Sequence, residues 1–139
     1  MFSNPTTEEI RTILRNSKTI AVIGISERED RASKYVSEYM MREGYTIYPV
    51  NPNIDEWHGL KAYSAVVDLP ESVDIVDVFR RSSEVLPLAS DAVEAKAKVF
   101  WLQQGIVDEE AASVASQAGL AVVMDACIMI EHESMKLGF

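Results

Sequence analysis

Several things are scarce in this chain of 139 residues, and each scarcity excludes a class of function. There is one cysteine, Cys127, so no internal disulfide can form, and the pattern suits a reducing compartment. The histidines are two, His58 and His132; no cysteine or carboxylate cluster surrounds His58, so no metal site is expected. Basic residues are outnumbered, 13 against 22 acidic ones, and the net charge of -9 argues against nucleic acid or an anionic membrane as partner. No apolar run approaches the ~20 residues of a membrane-spanning helix. The amino end, Met1-Phe2-Ser3-Asn4-Pro5, lacks the basic-then-apolar order of a signal peptide. The expectation is a cytoplasmic chain with a single domain over residues 1–139, of ordinary globular composition at 47% apolar.

What is present is an alternation of short apolar runs and helical patterns. Thr6-Thr7-Glu8-Glu9 followed by Ile10, Ile13 and Leu14 predicts a capped helix to about Asn16. Strand one covers Thr19 to Ile23 and closes on Gly24. A helical pattern then starts near Arg31, carries Val36, Tyr39, Met40 and Tyr35 inward, and stops at Gly44. Strand two is Tyr45 to Val50, halted by Asn51-Pro52. Residues 54–70 read as irregular, with a turn at Trp57-His58-Gly59.

Strand three, Ile75 to Phe79, ends at Arg80-Arg81, and Ser82 or Ser83 is expected to cap the helix carrying Val85, Leu86, Ala89 and Val93. Strand four is Lys98 to Leu102, closed by Gln103-Gln104-Gly105. Asp108-Glu109-Glu110 opens a helix that Gly119 ends, strand five is Leu120 to Met124, and residues 126–133 suit a short final helix. Strands apolar on both faces and separated by helices predict an α/β fold: a Rossmann-like, three-layer, doubly wound parallel sheet of five strands, in the order 3-2-1-4-5.

In such a sheet the ligand crevice lies beyond the carboxyl ends of the strands, where the strand order reverses. Five of the 13 basic residues, Arg28, Arg31, Lys34, Arg80 and Arg81, fall in the loops there or in the first helical turn beyond. An acidic chain that gathers cations on one edge fits an anionic ligand, and arginine's planar fork suits phosphate. The competing reading is that they balance Glu27, Glu29 and Asp30. An NAD site asks for Gly-x-Gly-x-x-Gly after strand one and an acid at the end of strand two. Here Ser26 stands where the second glycine would, and strand two ends in Asn51-Pro52, which speaks against NAD. No Gly-x-x-x-x-Gly-Lys-Ser/Thr segment offers a nucleoside triphosphate site.

The remaining reactive side chains read as structural. Cys127 and His132 are five apart and do not face each other on a helix, so Cys127 is expected to be a buried thiol. Asp74 and Asp77 bracket strand three on opposite faces, and Asp77 is expected to anchor a loop. Trp57 and Trp101 read as core or pocket wall, and His58 as a hydrogen-bonding or solvated group.

Six ordered segments resemble the stand-alone CoA-binding domain family, the bacterial and archaeal group similar to the CoA-binding domain of succinyl-CoA synthetase α subunits. They are Ala21-Val22-Ile23-Gly24-Ile25-Ser26, Arg31-Ala32-Ser33, Tyr48-Pro49-Val50-Asn51-Pro52, Asp77-Val78-Phe79-Arg80-Arg81, Trp101-Leu102-Gln103-Gln104-Gly105 and Met124-Asp125-Ala126-Cys127-Ile128. The resemblance implies a domain that holds coenzyme A at the strand ends. By position, Gly24, Ile25 and Ser26 would form the loop under the diphosphate, with Arg31, Ser33 and Lys34 facing its phosphates. Val50, Asn51 and Pro52 would line the adenosine side, and Phe79, Arg80 and Arg81 would flank the cofactor across the switch point. Gln104, Gly105 and Cys127 would lie toward the pantetheine end, where a mixed disulfide between Cys127 and the CoA thiol is conceivable. The family loop more often has alanine at the position of Ile25, so this bulkier side chain is expected to crowd it.

In the resembled synthetase the phosphorylated histidine and the nucleotide site belong to further domains. The implied function is therefore non-covalent binding of CoA or an acyl-CoA by a carrier, sensor or accessory protein, with no catalytic residues of its own. A small NAD(P)- or nucleotide-dependent enzyme on the same fold is the alternative reading. A homodimer or a protein partner is left open.

Overall fold

The computed structural model describes residues 2–138. The helices are α1 (Thr7–Asn16), α2 (Ala32–Arg42), α3 (Val85–Glu94), α4 (Glu109–Gln117) and α5 (Ile128–Leu137). The strands are β1 (Thr19–Ile23), β2 (Thr46–Val50), β3 (Glu56–Trp57), β4 (Leu60–Lys61), β5 (Ile75–Val78), β6 (Val99–Leu102) and β7 (Ala121–Val123). β1, β2, β5, β6 and β7 form one parallel sheet, and β3 and β4 a small antiparallel hairpin. Among the described residues no helix is long and apolar enough to cross a membrane.

Period-two alternation sends successive side chains of each strand to two separate cores. Ile20, Val22, Ile75, Val99 and Trp101 pack under α1, α2 and α5, against Leu14, Val36, Met40 and Ile128. Ala21, Ile23, Val76, Val78, Phe100 and Leu102 pack under α3 and α4, whose inward residues are Val85 and a set of alanines. Helices on both faces explain why β5 and β6 are buried along their whole length. Each large aliphatic side chain so buried stabilises the fold by roughly 1.5–3 kcal/mol relative to exposure.

The doubly wound parallel sheet is as expected, but the strand order is β2-β1-β5-β6-β7, or 2-1-3-4-5 in the numbering of its five strands, and not 3-2-1-4-5. Pro49 gives the physical reason. Its carbonyl accepts from Tyr63 N (2.9 Å) on the side of β2 away from β1, so the N–H it lacks would also point outward. A third strand could not ladder fully on that edge, and proline is confined to edges for this reason. The outer edge is covered by a short bridge between Val50 and Tyr63, and β5 pairs with β1 from Ile20–Ile75 to Ile23–Val78. The order therefore reverses between β1 and β5.

Local corrections are few. The 54–70 stretch holds the β3–β4 hairpin, whose turn residues His58 (φ 50°) and Gly59 (φ 75°) supply the positive-φ pair of a tight hairpin turn. Neither Ser82 nor Ser83 caps α3: a 3-10 turn, Ser82–Glu84, leads into it, and Ser82 Oγ instead accepts from Val107 N (3.0 Å). Tyr35 does not point inward but is 50% exposed at the start of α2, because the inward positions of that helix belong to Val36 and Met40.

Candidate functional site

A cavity of about 660 Å³ opens at the carboxyl ends of the strands, with the first turns of α2 and α5 in its wall. Its base is the turn after β1. Gly24 has φ 84°, and a Cβ there would run into the Phe79 carbonyl oxygen and lie 3.4 Å from Arg80 Nε. Only glycine lets the loops after β1 and β5 approach this closely. The Gly24 N–H donates to Val50 O (2.8 Å), tying in the end of β2 as well.

The loop is held by its own turn and by groups from the end of β2 and from the β3–β4 hairpin. The Ile25 side chain is fully buried in the core under α2, so it does not crowd the loop, contrary to expectation. Its carbonyl accepts from Asn51 Nδ2 (2.9 Å), and the Ser26 carbonyl accepts from Trp57 Nε1 (2.9 Å). Ser26 Oγ accepts from Arg28 N (3.0 Å), and His58 N donates to Glu27 Oε1 (3.0 Å). The β3–β4 hairpin thus buttresses the glycine loop, a role the sequence reading did not assign. The sequence offered only a tryptophan in a polar, irregular segment; its full burial is seen in the fold alone.

The cavity is electropositive for two reasons. The first is α2 itself: its N-cap is Arg31, no side chain caps it, and its first turn holds no acid. The N–H groups of Ala32 and Ser33 have no hydrogen-bond partner among the described residues and lie where the helix dipole favours an anion. The second is arginine. Arg31 and Arg80 line the cavity without a carboxylate partner among the described residues, while Arg28 lines it paired with Asp30 at 3.1 Å.

Not every expected cation joins them. Lys34 does not line the cavity: its ammonium donates to Glu38 Oε2 (2.7 Å) and sits 2.9 Å from Glu29, contacts that raise its pKa, Glu38 foremost. Glu38 also accepts from His58 Nε2 (2.7 Å), and Lys34 before His58 holds its carboxyl below the usual range. Arg81 is turned away too, its Nε 3.0 Å from Glu84 in the adjoining 3-10 turn. Arg28, paired with Asp30, and Lys34, paired with Glu29, fit the competing reading; Arg81 balances an acid outside it, and Arg31 and Arg80 pair with no carboxylate among the described residues.

Of the other expected residues, Ser26, Ser33, Asn51, Phe79, Gln104 and Cys127 line the cavity. Val50 and Pro52 line a neighbouring hollow of about 370 Å³, which shares Arg80 with it. Gly105 lies outside the wall and donates to Asp125 Oδ1 (2.7 Å). Cys127 is half-buried at the N-cap of α5 and not a fully buried thiol, because the helix start opens on the cavity. Met129 and Ile130, its neighbours on that helix, also line the wall and were not foreseen.

Asp77 does not anchor a loop. It pairs in register with Val22 and Trp101, so it points into the core under α2, and its Oδ1 has no hydrogen-bond partner among the described residues. Burial raises its pKa well above the ordinary carboxylate range. The anchoring carboxylate is Asp74, which accepts from Lys18 N (2.7 Å) and Thr19 N (3.1 Å). His132 is buried and hydrogen-bonded through Nδ1 to the Tyr39 hydroxyl (2.9 Å), and burial lowers its pKa. Among the described residues no group of three or more His, Cys, Asp or Glu side chains could hold a metal ion.

Known proteins resemble this chain in sequence and in fold. The chain is 47% identical over 135 residues to the protein YneT of Bacillus subtilis (strain 168), covering 97% of this chain and all of that one. It is 30% identical over 131 residues to the ADP-forming 4-hydroxybutyrate–CoA ligase of Nitrosopumilus maritimus, covering 86% of this chain but only 19% of the ligase. A hypothetical protein from Pyrococcus horikoshii has the same architecture, with a TM-score of 0.93 at 35% identity and 98% of each chain covered. The model of the CoA binding domain matches residues 18–133, and the chain belongs to that family.

Proposed function

We propose that this protein binds coenzyme A non-covalently at the strand ends. The diphosphate rests on the uncapped start of α2, over Gly24 and Ser26, and takes hydrogen bonds from Ser33 and the guanidiniums of Arg31 and Arg80. The adenosine occupies the side formed by Asn51 and the adjoining Val50–Pro52 hollow. The pantetheine arm runs past Gln104 toward Cys127. One observation carries this reading: two arginines with no carboxylate partner among the described residues and an uncapped helix start share one cavity in a chain of net charge -9. Lys34 and Arg81, held by Glu38 and Glu84, are assigned no contact with the ligand.

The role is that of a carrier, sensor or accessory protein in the cytoplasm, without chemistry of its own. His132, the side chain best suited to proton transfer, is committed to Tyr39 and lies outside the cavity wall. The test is calorimetric titration with CoA, acetyl-CoA, NAD and ATP. Binding of CoA or its thioester at micromolar Kd, about -8 kcal/mol, with no comparable response to NAD or ATP, supports the reading. Preference for NAD would support a dinucleotide-dependent enzyme instead. Arg31→Ala is expected to weaken CoA binding about ten- to hundredfold, roughly 1.5–3 kcal/mol for a hydrogen bond to a charged group.

A further inference from the structure

The cavity wall is chemically graded along the order of the strands. Above β1 and β5 it is cationic, with Arg28, Arg31 and Arg80; above β6 it is amide, with Gln103 and Gln104. At the start of α5, tied to the end of β6 by Trp101 Nε1 donating to Ala126 O (2.8 Å) and Ile128 N donating to Gln103 Oε1 (3.2 Å), it turns apolar, with Cys127, Met129 and Ile130, and Tyr35 from α2 shares that wall. Tyr35 and Ile130 are each 50% exposed, two of the few large apolar side chains that the described residues leave open to solvent. Exposed apolar groups gathered at one end of a cavity mark a binding surface more than chance exposure does.

The dimensions connect the two ends. From β1 to β6, over which α5 starts, the rim spans two interstrand spacings, about 10 Å at 4.7–4.9 Å each. The pantetheine arm, thirteen bonds from phosphorus to sulfur, extends to about 15 Å at the rise per bond of an extended chain. A diphosphate seated on α2 beside β1 therefore leaves the arm long enough to bring the sulfur to Cys127 in the same cavity. Whatever is esterified to that sulfur continues along Met129, Ile130 and Tyr35. No cation lines this end, so an acyl chain ending in a carboxylate would lose its hydration there without gaining a partner.

We propose that the preferred ligand is a CoA thioester with an apolar acyl chain, held between Tyr35 of α2 and Met129 and Ile130 of α5. This rests on the CoA reading above and narrows it to a ligand class. The occupant follows from continuity: the apolar end belongs to the same cavity as the phosphate end, at the distance the arm can reach.

The test is a calorimetric series of CoA, acetyl-CoA, hexanoyl-CoA, octanoyl-CoA and succinyl-CoA. A fully buried methylene is worth about fourfold in affinity, and an open cleft about half of that factor. Hexanoyl-CoA is expected to bind at least tenfold more tightly than CoA, and succinyl-CoA no more tightly than CoA. Ile130→Asn, at an exposed position, is expected to cut the hexanoyl-to-CoA affinity ratio at least threefold at an unchanged melting temperature. Equal affinities across the acyl series, with CoA still bound, overturn the acyl proposal and leave CoA binding intact. Absence of binding by every member overturns the CoA reading itself. Equal affinities together with a dimer that Ile130→Asn dissociates in sedimentation assign the apolar end to a second copy of the chain, and also overturn the proposal.

Discussion

The two helical layers that cover the sheet differ in kind. Under α3 and α4 the core is alanine, valine and a few larger apolar side chains. Under α1, α2 and α5 the buried set also includes Ser33, Lys34, Ser37, Asp77 and His132. The helix starts differ as well. In α4, Asp108 caps the amides of Glu110 and Ala111 (3.0 and 3.1 Å), and in α1 Thr6 and Glu9 form a capping box. α2 and α5 begin at Arg31 and Cys127 with no side-chain cap among the described residues, and both starts line the cavity; α3 is uncapped too, but a 3-10 turn leads into it. A cap is worth about 1 kcal/mol. Stability left unclaimed at two helix starts that share a ligand-sized cavity is what a binding site costs its fold.

The hardest test of the contrast between site and scaffold is Gly24→Ala. The left-handed backbone costs about 1–2 kcal/mol, and collision with the Phe79 carbonyl brings the loss to about 3 kcal/mol in urea denaturation. Gly119→Ala, at φ 96° with open space around it, is expected to lose only the first, about 1–2 kcal/mol. Equal losses would mean that the loops after β1 and β5 are not packed as described.

Arg31→Asp inverts the character of α2. It supplies the missing cap and an acid at the positive end of the dipole, so the ligand-free protein gains about 0.5–1 kcal/mol in thermal or chemical denaturation. CoA affinity falls about a hundredfold, because a guanidinium is replaced by a like charge of the phosphate. Asp108→Ala makes the opposite cut: about 1 kcal/mol of stability is lost with α4's cap, and CoA binding does not change.

Asp77→Asn addresses the polar layer through pH. The folded-state pKa of Asp77 is raised by burial, so the protonated carboxyl is favoured on folding. Its contribution is fully present below the ordinary carboxylate range, near 3.9, and is lost as pH rises toward the folded-state pKa. Wild type is therefore expected to lose stability relative to Asp77→Asn as pH rises from about 4, with the difference read from denaturation midpoints. A constant difference across pH would contradict a buried, unpaired Asp77.

Much of this was legible in the residues because the signals are local. Thr6 to Leu14 carries its own cap and apolar face, and the apolar runs mark the strands. Pro49 was a legible edge signal for β2, yet strand order depends on which partner closes on β1, a long-range choice. The retreat of Lys34 and Arg81 was also written locally, in Glu38 four residues after one and Glu84 three after the other. The buttress of Trp57 under Ser26 was not, since it joins residues 31 apart through a side chain and a carbonyl. The same holds for the apolar end, where Tyr35 and Ile130 come together only in the folded chain.

The most direct test of the central claim is a CoA titration followed by backbone amide resonances of the nitrogen-labelled protein. The largest shifts are expected at Gly24, Ser26, Ala32 and Ser33, with the capped starts of α1 and α4 unmoved. Saturable binding that leaves Ala32 and Ser33 undisturbed would contradict a diphosphate seated on the start of α2.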